Sequence, residues 1–270
     1  MATLTERGSN TAKASGTTLT VTSVSASAGE FLHIIVAGQT NVSPSTVTWG
    51  VRDLNKSLQR IHTTPNFTAN YYTLRNVANS GTRTITCTWA SAINTKIALA
   101  FTLDEPFVVD EVARNILTAS TAPTVGPTAT HLRRDDFCVG LLLAEGPTTD
   151  SAPTSVTAGW TTGTRVGTAG APPVGNLTAN WYHQQTTDCT GVTLAGTAAT
   201  ARDWIGLISA YRPAELHCVD YYGSQIEAGD TVEYLPDNTT YTVNTVFPKQ
   251  NSIDIGAIGR VSAVDCEVLN

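Results

Sequence analysis

At 270 residues the chain exceeds a usual single domain of roughly 100–150, so several small domains are the natural expectation. A net charge of −6 and a pI near 5.3, with only 14% charged residues, argue against an electrostatic grip on nucleic acid or an anionic membrane, since both need clustered Lys and Arg. Hydrophobic residues reach 41% and there is a single Met, so the surface relies on neutral Thr, Ser, Asn and Gly, the composition of a pleated-sheet protein.

Residues 1–16 are polar and are expected as an N-terminal arm. Met1–Asn10 has no apolar signal core, and runs such as Phe31–Ala37 are too short to span a bilayer, so synthesis in a cytoplasm without membrane insertion is expected. From Thr17 the residues Leu19, Val21 and Val24 alternate with Thr and Ser, the signature of a half-buried strand. Ala28–Gly29–Glu30 turns the chain into Phe31–Ala37, whose length and β-branching fit a central strand. Val47–Trp49, Asn70–Leu74, Thr82–Trp89 and Lys96–Leu103 supply further strands.

The series then recurs in the same order. Phe31–Ala37 is answered by Phe137–Leu143, Val47–Trp49 by Val156–Trp160, Thr68–Tyr72 by Thr178–Tyr182, and Lys96–Leu103 by Trp204–Tyr211. The offset stays at about 106–111 residues, which points to internal duplication. Each copy has the size and strand rhythm of a two-sheet sandwich. The expected fold is therefore all-β: two tandem antiparallel β-sandwich domains of jelly-roll or immunoglobulin-like type at 17–104 and 105–213, each able to carry its own core. Pro106 and Pro213 mark the ends of the copies, where proline blocks a central strand. Residues 214–270 form a smaller β module, with Thr231–Leu235 and Thr239–Val243 as a hairpin around Pro236–Asn238, and Ile253–Ile258 and Arg260–Val268 as further strands.

No catalytic, cofactor-binding or metal-binding spacing is present. His33, His62, His131, His183 and His217 stand alone, and Cys87, Cys138, Cys189, Cys218 and Cys266 form no Cys-x-x-Cys pair. Cys138 reads as a small buried hydrophobe and His33 as a core or interface histidine; Cys218 and Cys266 approach each other only if the end strands of the last module pair. The carboxylates Asp104, Glu105, Asp110, Glu111, Asp135 and Asp136 read as solvated turns, and Arg133–Asp136 as a surface charge cluster, not a glycosidase pair. The stretch Gly163–Gly175 lacks the ending of a phosphate cradle and reads as a long loop. Aromatics recurring in both copies, Tyr71, Tyr72, Trp181 and Tyr182 with His183, are the candidate glycan contacts, and packing in a core is the competing reading.

The Glu30 and Asp136 entries into apolar strands, Val47–Trp49, Asn70–Tyr72 and the run Asn79–Thr88 together resemble the β-sandwich domains of accessory structural proteins of tailed bacteriophages and of some adhesins, over residues 17–212. The resemblance implies a non-enzymatic virion protein, a capsid decoration or minor capsid component that docks on the shell lattice. Its expected partners are the major capsid protein or other virion proteins and further copies of itself, with no nucleic acid and no membrane. A tail component, or an adhesin that recognises host surface glycan, is the alternative it implies.

Overall fold

The computed structural model describes residues 2–214 apart from 76, 132–135 and 171–174, and beyond them 218–219, 225–226, 231–234, 239–247, 252–255, 260–262 and 266–268. The described residues are all β, with no helix among them and with antiparallel pairing throughout. The chain divides into two compact units, Met1–Pro213 and Ala214–Asn270.

In the first unit an outer sheet runs in the order β2 (Gly16–Ala26), β8 (Gly81–Ile93), β4 (Thr46–Trp49), β5 (Arg52–Asp53). The next sheet runs β1 (Leu4–Ala12), β9 (Lys96–Leu103), β3 (Phe31–Gly38), β7 (Asn66–Leu74), β6 (Asn55–Thr63). A third follows the same plan: β10 (Phe107–Ser120), β17 (Arg202–Pro213), β12 (Phe137–Glu145), β15 (Leu177–Gln185), β13 (Thr161–Thr162), with β14 (Val166–Gly167) also on β15. A two-stranded ribbon of β11 (Thr124–Val125) and β16 (Leu194–Ala195) accompanies it.

The second and third sheets agree in register as well as in order. Ile35 lies between Tyr71 and Leu99, and Leu141 between Trp181 and Leu207. Ala37 lies between Ala69 and Ile97, and Leu143 between Ala179 and Ile205. Side-chain bonds repeat too: Asn70 donates to Val36 O at 3.4 Å and Asn180 to Leu142 O at 3.1 Å, while Thr68 donates to Thr40 O and Thr178 to Gly146 O. This correspondence is consistent with duplication of one strand unit.

Leu4–Ala12, expected as an arm, is an edge strand paired with β9 from Leu4 opposite Leu103 to Ala12 opposite Lys96. Its polar sequence misled because a ladder is made by main-chain groups, and an edge strand with much of its surface in solvent needs few apolar side chains. Buried Lys96 anchors the connection that follows, its ammonium donating to Ala14 O (2.9 Å), Gly16 O (3.1 Å) and Ile93 O (2.7 Å).

Each repeat keeps a core of its own, and a larger one is shared between them. One face of the second sheet packs Leu32, Ile34, Val36 and Tyr72 on Trp49, Ile85 and Cys87 of the outer sheet. One face of the third packs Leu142, Tyr182 and Ile208 with Val125 and Leu194. The remaining faces meet each other, placing Phe31, Ile35, Tyr71 and Leu99 in one cluster with their counterparts Phe137, Leu141, Trp181 and Leu207. The repeats thus pack through equivalent faces, the arrangement of an isologous dimer contained in one chain. This explains the continuous apolar runs: β3, β9 and β12 are buried at every position, because both sheet faces are covered and the usual alternation disappears.

In the second unit β20 (Thr231–Tyr234) pairs with β21 (Thr239–Thr242) as a hairpin, and β25 (Cys266–Val268) pairs with the other edge of β20. The turn at Pro236–Asn238 lies outside the described residues. A separate sheet holds β22 (Thr245–Phe247), β23 (Ser252–Asp254) and β24 (Arg260–Ser262), so the single strand expected over Arg260–Val268 is two short strands in different sheets. Cys218 lies on β18 (Cys218–Val219), which pairs with β19 (Gln225–Ile226), whereas Cys266 lies on β25 against β20.

Candidate functional site

The aromatic residues singled out in the sequence lie inside the cores. Tyr71, Tyr72, Trp181 and Tyr182 are each at most 4% exposed. Their polar tips are used internally: Tyr71 donates to Leu207 O (3.4 Å), Tyr72 to Pro44 O (3.2 Å) and Trp181 to Thr164 O (3.0 Å). The Trp181 indole stacks on Phe101 at 5.0 Å with planes 2° apart, across the shared core. Gly163 passes so close that a Cβ there would fall 2.0 Å from the Trp181 ring. His183 is half-buried against Phe137 at 5.7 Å; burial lowers its pKa, with Glu6 opposing the shift. The period-2 pattern that repeats these four rings places them on covered faces, and Tyr72 reaches the wall of an open cleft, one of about 320 Å³ beside Asp53 and Lys56.

Two of the carboxylates depart from solvated turns, while Asp104 is exposed in a bend as expected. Asp110 is fully buried at its side chain, 3.8 Å from the Arg212 guanidinium, and Asp136 is buried with an oxygen 3.6 Å from His131 Nδ1. Arg133, Arg134 and Asp135 lie outside the described residues. Cys138, buried as expected, has its thiol pushed up first by burial and then by Asp136 and Asp110. A thiol held protonated in this way is a poor nucleophile. Asp104 accepts from the Thr3 amide at 2.8 Å and serves to hold the first strand.

His33 sits in the shared core, its Nε2 2.7 Å from the Tyr211 hydroxyl and its ring stacked on Phe101 at 4.6 Å. Burial lowers its pKa to about 3, so the ring is a neutral hydrogen-bonding element. Among the described residues no group of His, Cys, Asp and Glu is arranged to hold a metal ion, and no helix is long and apolar enough to cross a membrane.

Two open clefts stand out: the one of about 320 Å³ lined by Asp53, Lys56 and Tyr72, and another that is polar and uncharged. At one end of the first repeat a cleft of about 410 Å³ lies between the loop after β3 and the turn joining β8 to β9, lined by Gln39, Asn41, Val42, Asn66 and Asn94. A recess of about 90 Å³ bounded by Trp89, Val42 and Ile93 shares several of its walls. At the same end of the second repeat the space is closed to about 10 Å³, where Arg165 donates to Thr148 O (2.9 Å) and Asp150 O (2.8 Å), and Arg202 pairs with Asp150 at 2.7 Å. Sequence patterning missed this cleft because its lining comes from loops and strand ends far apart in the chain. Compared with known family models, curated proteins and solved structures, the chain matches none.

Proposed function

We propose that the protein is a non-enzymatic structural component of a tailed-phage particle, a decoration or minor shell protein that docks on the capsid lattice. The observation that carries this reading is the long edge strand β10, 14 residues with an extended stretch of partly exposed positions, paired only with β17 in its own sheet. An unpaired strand edge is a template for main-chain pairing with a neighbouring chain. Tyr71, Tyr72, Trp181 and Tyr182 lie in cores, and the charge is low, so docking by backbone and neutral polar groups suits this surface.

Quantitative mass spectrometry of purified particles tests the proposal. A copy number matching the major shell protein supports decoration. A few copies per particle would move the chain to the tail, and absence from particles would overturn the proposal.

A further inference from the structure

We infer that the open end of the first repeat is a binding cleft for a neutral saccharide, with Asn41, Asn66, Asn94 and Gln39 reading its hydroxyls over a floor made by Val42, Ile93 and Trp89. The inference does not depend on where a particle carries the chain.

The carboxamides supply the first reason. Gln39, Asn41, Asn66 and Asn94 line one cleft and make no side-chain hydrogen bond among the described residues. The buried asparagines Asn70 and Asn180 behave otherwise, each donating to a main-chain carbonyl. A primary amide offers two donors and two acceptor lone pairs, which matches a hydroxyl that both gives and takes a hydrogen bond. Among the described residues no charged side chain lines the cleft or its recess, so none of them selects an ionised ligand. Its volume falls within the roughly 300–1,000 Å³ typical of small-molecule sites.

Trp89 supplies the second. Of the five tryptophans, four donate Nε1 to a carbonyl: Trp49 to Val24, Trp160 to Thr193, Trp181 to Thr164 and Trp204 to Ser120. Trp89 Nε1 is buried and has no acceptor among the described residues. A buried indole N–H normally finds a partner, and its ring bounds the recess that adjoins the cleft. Val42, 55% exposed at the mouth, gives the apolar patch on which the C–H face of a sugar packs. Gly38 permits the floor to close, since a Cβ there would lie 2.8 Å from Ile93 Cδ1 and 3.5 Å from the Trp89 ring.

The second repeat provides an internal comparison. Its corresponding space is filled by Arg165 and the Arg202–Asp150 pair, so the site belongs to the first repeat alone.

The test presents the labelled full chain to an array of neutral and of sialylated, sulfated or uronic-acid oligosaccharides, then repeats it with Asn41→Ala/Asn94→Ala and with Ser151→Ala at the closed end. The expected result is binding of neutral glycans that weakens at least about tenfold in the double variant and is unchanged in Ser151→Ala. Amide NMR of the indole region adds an independent readout: the resonance lost in Trp89→Phe should be the indole signal that moves when the bound neutral glycan is titrated in. Binding of no neutral glycan, a preference for charged ones, or binding indifferent to the double variant would each overturn the inference.

Discussion

Acidification should loosen the first unit through His33. The folded chain keeps this ring neutral down to about pH 3, because it is fully buried between Phe101 and Tyr71 against the Tyr211 hydroxyl, whereas the unfolded chain takes up a proton near 6.5. The unfolded state therefore binds the extra proton first, and stability is complete above pH 6.5 and falls as the pH drops toward 3. Between about pH 7.5 and about pH 5 the loss from this one ring is about 2 kcal/mol. With a urea slope of roughly 2–3 kcal/mol/M, that is a midpoint shift of about 0.7–1 M. The assay is urea unfolding followed by tryptophan fluorescence at both pH values, for the wild type and for His33→Gln. Other groups titrate in both proteins, including Glu145, whose pKa burial raises and which acts in the opposite sense, so the difference between the two chains isolates His33. If His33→Gln loses as much stability on acidification as the wild type, the reasoning is wrong.

Truncating Trp181→Ala should cost about 3–5 kcal/mol, since it empties the shared core beside Phe101, and half-buried Trp160→Ala should cost clearly less; denaturant midpoints rank the two. Lys96→Met leaves the carbonyls of Ala14, Gly16 and Ile93 without their common donor and should cost about 2–3 kcal/mol, with faster hydrogen exchange in β1 as the local signature. In native alkylation mapped by mass spectrometry, Cys189, which is partly exposed, should react, while Cys87, whose thiol burial pushes up to about 12, and Cys138 should stay unmodified until the chain unfolds.

Much of the strand plan was legible in the sequence. β-branching and length marked β3 as a central strand and recurrence marked β12 as its counterpart, and the recurrence of Thr68–Tyr72 in Thr178–Tyr182 is matched by identical registers against β3 and β12. These signals are local: a period of two, or its absence, states how many faces of a strand are covered. It does not state what covers them. That the second faces of β3 and β12 are covered by each other's sheets was decided by tertiary packing, and so was the partner against which Tyr71 and Trp181 are buried, since as repeated aromatics they read first as core packing and only second as surface contacts. The same holds for β1, because backbone pairing to Lys96–Leu103 leaves little trace in side-chain pattern. The cleft is the extreme case, since Gln39, Asn66 and Asn94 become neighbours only when three strand ends converge, and no spacing in the chain encodes that meeting.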